Sequence, residues 1–174
     1  TQLIADNLAQ YGGTKPILIL THTNAGVAAL RQRLQRARVP SAAYRIATID
    51  GLSMRLIARF PIRSGHDPRI LLIGDPRNDY PAIRAAATRL LQAGDISGPL
   101  RATYHRLIVD EYQDCSVIQH AFIDALSKEL SATVLGDPLQ AIFGFAGNQL
   151  VTWQGQVEEC FPAIGALGTP WRWL

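Results

Sequence analysis

Cysteine is scarce in this chain. Cys115 and Cys160 are its only two, and their spacing fits no zinc-ligand pattern. A disulfide framework is therefore not expected, and a reduced, cytoplasmic setting is the default. No apolar run approaches the roughly 18 residues of a membrane helix, and no charged-then-apolar leader opens the chain, so a membrane is not an expected partner. Internal repeats and low-complexity tracts are also missing. Lysine is nearly absent: 2 residues against 15 arginines. Most consequentially, no Gly-x-x-x-x-Gly-Lys-Ser/Thr phosphate loop occurs. Its nearest imitation, Gly12-Gly13-Thr14-Lys15, has the order reversed and runs into Pro16, which reads as a turn.

What is present fits one globular domain. At 174 residues, 48% hydrophobic and 18% charged, the chain can bury a single core. Helices are expected near 1–10, 25–38, 52–60, 80–93, 116–130 and 148–159. Asn24 reads as a helix cap, and Ala85, Ala86, Leu90 and Leu91 as an inward face. Strands are expected near 16–21, 44–49, 105–109 and 132–136, with short ones read at 69–73 and 163–167. Strands alternating with helices imply an α/β fold, a parallel sheet flanked by helices.

The most telling stretch is His105-Arg-Leu-Ile-Val-Asp-Glu-Tyr-Gln-Asp-Cys115. Leu107, Ile108 and Val109 suit a strand buried on both faces, and ligands of parallel sheets collect at the carboxyl ends of such strands. Asp110 and Glu111 emerge there. Phosphoryl transfer needs an acid that holds Mg²⁺ and a group that orients the attacking water, and adjacent carboxylates can divide that work. An Asp-Glu pair by itself is more often a solvated turn; the longer string changes the odds.

Asp110-Glu111-Tyr112-Gln113-Asp114 resembles motif II of the UvrD/Rep/PcrA branch of superfamily 1 helicases. Ile17-Leu-Ile-Leu-Thr-His-Thr-Asn24 resembles motif Ia, with His22 in place of the usual aromatic and Ala25 in place of Lys. Ala47-Thr-Ile-Asp-Gly-Leu52 is similar to motif Ib, from which Ile49 and Asp50 depart. Val134-Leu-Gly-Asp-Pro-Leu-Gln-Ala-Ile-Phe-Gly-Phe145 resembles motif III, though Ala146 stands where Arg is usual. Leu167-Gly-Thr-Pro-Trp-Arg172 resembles motif IV.

The resemblance implies a RecA-like NTPase fold over residues 1–174, with a reduced helical insertion at about 61–103. It implies ATP and Mg²⁺ as cofactors, with Thr1 at the edge of a phosphate loop that precedes it, and Asp110 as the metal ligand. Glu111 would position or deprotonate the hydrolytic water, Gln140 would sense the terminal phosphate, and Arg172 would lend charge to the transferring phosphoryl group. Thr21, Thr23, Asn24 and Thr48 would hydrogen-bond to DNA phosphates, with Ile49 and Asp50 beside them in motif Ib. His22, Phe143 and Phe145 would stack on unpaired bases. Trp153, Trp171 and Trp173 read as core or interdomain contacts. Gln140 and Phe143 share one loop, so hydrolysis and base contact are expected to be coupled.

Charge is uneven. Residues 31–69 carry nine Arg against two Asp, and residues 110–174 carry eight acids against Lys128 and Arg172. The basic stretch is either a footprint for phosphate backbones or the solvated face of an Arg-rich composition. The favoured reading is the N-terminal motor domain of a single-stranded-DNA helicase. Its partners would be single-stranded DNA and a second RecA-like domain of a longer parent chain, and residues 1–174 alone would not hydrolyse ATP. Two alternatives stand beside it: a stand-alone nucleic-acid-binding module, and an unrelated nucleotide-binding ATPase that ignores DNA.

Overall fold

The structure is a computed structural model that describes residue 8, residues 13–141 and residues 149–166. Four strands are described: β1 (Ile17–Thr21), β2 (Tyr44–Thr48), β3 (Leu107–Val109) and β4 (Ala132–Val134). They form one all-parallel sheet in the order β2-β1-β3-β4. The fold is α/β and RecA-like, as the alternation of elements implies.

Every residue of β1 and β3 is buried, because helices cover both faces of the sheet. Period-2 alternation splits their side chains between two cores. Leu18, Leu20, Leu107 and Val109 face the larger one, built with α2 (Ile49–Arg59), α4 (Pro76–Gln92) and α6 (Val117–Ser127). Ile17, Ile19 and Ile108 face a smaller one with Leu30 and Leu34 of α1 (Asn24–Arg36). The inward face of α4 is Ile83, Ala86, Ala87, Leu90 and Leu91; Ala85 is half-buried. The short helices α3 (Pro61–Ser64) and α5 (Ser97–Thr103) flank α4, and α7 (Glu158–Cys160) closes the described chain.

Several local expectations are corrected. The cap of α1 is Thr23, whose hydroxyl accepts from the Gly26 amide at 3.0 Å, rather than Asn24. Residues Pro68–Leu72 form a 3-10 helix instead of a strand. Asp67 caps it by accepting from the Arg69 amide at 2.9 Å, and Pro68 presets its first φ. A four-residue apolar run does not distinguish the two conformations, and here the cap decides. Helix α4 begins at Pro76, four residues before the expected start. Asp75 accepts from the Arg77 amide, and the Asp79 carboxylate reaches back to the Asp75 amide at 2.8 Å.

The helix expected near 148–159 is mostly something else. Leu150 bridges Ser116 in antiparallel fashion, and Trp153–Val157 is a π-turn. Gly155 there adopts φ 97°, which ends helical continuity. Only Glu158–Cys160 is α-helical, and residues 162–166 contain no strand. The expected N-terminal helix lies almost wholly outside the described residues.

Candidate functional site

The end of β3 is pinned on both sides. Val109 accepts from the Leu135 amide at 2.8 Å, and the Asp110 amide donates to Leu20 of β1 at 2.8 Å. Two residues later the Tyr112 amide donates to Leu135, on the β4 side, at 2.9 Å. The chain must bend between these anchors, and it does so at Glu111, with φ 56° and ψ 44°. A left-handed conformation in a non-glycine residue costs about 1–2 kcal/mol, and such outliers cluster at functional sites.

Tyr112 anchors the bend from beneath. It is fully buried, its hydroxyl hydrogen-bonds His120 Nδ1 at 2.8 Å, and its ring meets Phe161 edge-on at 5.7 Å. The reciprocal cap between Ser116 and Gln119 then starts α6.

Asp110 is half-buried and Glu111 is exposed at the carboxyl edge of the sheet. Burial first, and then the Glu111 charge, pushes the Asp110 carboxyl above its ordinary range. Asp114, the last acid of the string, is raised by the same two causes, and its Oδ1 is buried without a hydrogen-bond partner among the described residues. The edge is thus an acid cluster that lacks positive charge.

A second strand end meets the first. Gln113, buried, donates from Nε2 to Glu111 Oε2 at 2.7 Å and accepts on Oε1 from the Asp137 amide at 3.1 Å. Asp137 follows β4 and caps the 3-10 turn Pro138–Gln140, accepting from the Leu139 amide at 3.0 Å. Its Oδ2 accepts from Gln140 Nε2 at 2.6 Å. Glu111, Gln113, Asp137 and Gln140 therefore form one hydrogen-bonded line across the ends of β3 and β4. Gly136 lies alongside, where a Cβ would stand 2.8 Å from Gln113 Oε1 and 2.8 Å from the Trp153 ring. Trp153 packs against the larger core. The sequence reading missed the links made by Gln113 and Asp137, although both residues lie inside the quoted motifs.

The ends of β1 and β2 flank this line. Thr21 is buried, while Thr23 and Asn24 are exposed. His22 is half-buried, with Nε2 3.4 Å from Cys115 Sγ. Burial lowers His22 to about 4, outweighing the opposing pull of Asp50. Its ring thus packs inward, against the expectation of an open base platform. Thr48 caps α2, its hydroxyl accepting from the Gly51 amide at 2.9 Å.

Ile49 is a correction. Its exposure is 0%, because it starts α2 facing the sheet, so its side chain is not accessible to DNA. Asp50 is also engaged: both of its carboxylate oxygens accept from the Arg84 guanidinium of α4. Two arginines of the basic stretch are likewise neutralised, Arg69 by Asp67 and Arg63 by Asp95. Thr1, Phe143, Phe145, Trp171, Trp173 and Arg172 lie outside the described residues.

Comparison with known proteins bears on this constellation directly. Residues 75–159 match the UvrD/REP helicase N-terminal domain. This chain belongs to the UvrD/REP helicase family. The matched residues hold the whole line from Glu111 to Gln140. Among curated relatives of this family, the chain is 37% identical over 75 residues to an ATP-dependent helicase/nuclease of Lacticaseibacillus casei, covering 38% of this chain and 6% of that protein. It is 32% identical over 74 residues to the RecBCD enzyme subunit RecB of Mycobacterium tuberculosis, covering 42% of this chain and 7% of that one. The corresponding ATP-dependent helicase/nuclease of Lactococcus lactis is 35% identical over 68 residues, which is 38% of this chain and 6% of that protein. The chain thus spans only a small fraction of the length of these UvrD/REP relatives.

Proposed function

We propose that the chain is part of the N-terminal motor domain of an ATP-dependent DNA helicase or translocase that acts on single-stranded DNA. One observation carries the reading: a carboxylate at the end of β3, Glu111, and an amide after β4, Gln140, are joined by Gln113 and Asp137 into a single line. The family match and the relatives' printed names, ATP-dependent helicase/nuclease and RecBCD enzyme, support it.

Glu111 orients or deprotonates the attacking water, the task of a general base within hydrogen-bond reach. Gln140 senses the terminal phosphate of ATP, since an amide both donates and accepts. Mg²⁺ is bound in nucleotide sites by one or two carboxylates together with waters and substrate phosphates, not by an all-protein cage. Asp110 fits that pattern, being half-buried in an acid cluster that a cation would relieve. Magnesium there would neutralise charge on the phosphates. Arg172 and Thr1 complete the nucleotide site in this reading. Because residues 1–174 contain no phosphate loop, hydrolysis needs residues outside them.

Single-stranded DNA runs along the ends of β1 and β2, where the exposed Thr23 and Asn24 and the half-buried Thr48 contact phosphates. Phe143 and Phe145 stack on bases beyond the Gln140 turn. His22 contributes through its inner contacts instead of as a platform. We read residues 1–174 as one RecA-like domain, with the helical stretch at about 61–103 as a reduced insertion whose main helix, α4, shares the sheet's core. A second RecA-like domain in the parent chain and a cytoplasmic setting complete the proposal. No helix among the described residues is long and apolar enough to cross a membrane.

The test is ATP hydrolysis by the full-length gene product with and without single-stranded DNA. Glu111→Gln should lower the DNA-stimulated rate about 10²–10⁴-fold, the usual worth of a general base, while leaving DNA binding intact. An unchanged rate would remove Glu111 from the chemistry.

A further inference from the structure

We propose that Gln113 is a positioning residue that locks the Glu111 carboxylate to the end of β4, so that the water-orienting group and Gln140 are fixed to each other. The inference rests on the reading of Glu111 as the base, and it deepens that reading.

The orientation of the Gln113 amide follows from chemistry. A backbone N–H can only donate, so the Asp137 amide requires Oε1 on its side, at 3.1 Å. Nε2 is then forced toward Glu111, where it donates at 2.7 Å to a carboxylate oxygen, which accepts. The flipped amide would oppose two donors on one side and two acceptors on the other. Gln113 is 4% exposed, so water does not stand in easily for either bond.

Glu111 has no other described partner for its side chain and is exposed. Its left-handed backbone sets where Cβ points, but three side-chain torsions remain free. The Gln113 bond is the described contact that restrains them. The amide also secures the Asp137 backbone, and the Asp137 carboxylate holds Gln140 at 2.6 Å. Movement of the Gln140 turn is thereby transmitted to Glu111 through two hydrogen bonds and one residue. Glutamine suits this position uniquely among residues of its shape: glutamate keeps the acceptor for Asp137 but places an acceptor against Glu111, and an apolar side chain loses both bonds.

The test uses the full-length protein, single-stranded DNA and ATP, and reads kcat and KM separately. Gln113→Ala should lower kcat roughly tenfold to a hundredfold, part of the full general-base effect, with KM for ATP changed less than about twofold. Gln113→Glu, which keeps shape and the Asp137 contact, should fall by a similar factor. In a Glu111→Gln background, Gln113→Ala should cost no further residual activity, because the residue acts through the one already removed. Unchanged kcat in both Gln113 variants, or losses that multiply in the double variant, would overturn the positioning role alone. Hydrolysis retained by Glu111→Gln would instead overturn the base reading beneath it.

Discussion

Gly136→Ala is the sharpest test of how β4 meets motif II. The glycine's backbone has no positive φ, so conformation does not demand it. Space does. A Cβ would stand 2.8 Å from Gln113 Oε1, 2.8 Å from Trp153 Cζ3 and 3.0 Å from Trp153 Cη2, all inside van der Waals contact. Something must move. Overpacking of this kind costs about 1–3 kcal/mol. If Gln113 yields, the Asp137 amide also loses its acceptor, a further cost of about 1–3 kcal/mol when the donor is buried and less when it is half-exposed. Asp137 is half-buried, so the lower part of that range applies. A total of about 2–4 kcal/mol follows, or roughly 5–15 °C in Tm for a domain of this size.

The assay is denaturant unfolding of Gly136→Ala against the parent, with a second pair in a Trp153→Leu background. Removing the indole relieves one of the two collisions, so the alanine should cost at least about 1 kcal/mol less there. A Gly136→Ala cost below about 0.5 kcal/mol would refute the close approach. An equal cost in both backgrounds would show that Trp153 is not what the methyl meets.

Three further outcomes are expected. Arg84→Ala strips both partners from the half-buried Asp50 and unties α4 from α2; stability should fall by about 1–3 kcal/mol, and a change under about 0.5 kcal/mol in denaturant unfolding would refute the tie. His22 is held at about 4 by burial, against an ordinary 6.5, so the folded state favours the neutral ring. Its contribution is complete above pH 6.5 and is lost as pH falls toward 4; His22→Phe should flatten the stability curve across that window by on the order of 2–3 kcal/mol, and parallel curves would refute it. Iodoacetamide should modify the exposed Cys160 well before Cys115, which is fully buried and whose thiol burial pushes up; peptide mass mapping showing equal labelling would contradict the packing around His22.

The sequence made the fold legible where neighbours in the chain carry the information. The apolar triplet before Asp110 reads as a buried strand because nothing else about so short a run fits two covered faces. The site was legible in part for the same reason: Asp110 to Asp114 are consecutive. Gln113's role was hidden because its second partner, the Asp137 amide, is 24 positions away. That contact exists only once β3 and β4 pair in parallel. His22 and Cys115 are 93 positions apart, and their contact turns an expected base platform inward. Ile49 misled for a related reason: a motif marks where the chain passes near a ligand, but helix phase decides which side chains face it. The strand read at 69–73 failed differently, since Asp67 and Pro68 set a 3-10 cap that outweighs β-propensity.

The strain at Glu111 follows from topology more than from the residue itself. Strand β3 is central, so its last residues owe hydrogen bonds to β1 on one side and to β4 on the other. Asp110 satisfies the first and Tyr112 the second, leaving one residue to turn the chain between them. Glycine would adopt that left-handed turn more cheaply. A glutamate there keeps a strained backbone at a cost of about 1–2 kcal/mol, and the surrounding structure offsets it with the buried Tyr112 and with the Gln113 bond to its own carboxylate. The same bend that the sheet requires lifts the carboxylate out of the core and presents it at the strand ends. Fold and site share one residue, and so the conformation that costs stability is also the one that exposes the reactive group.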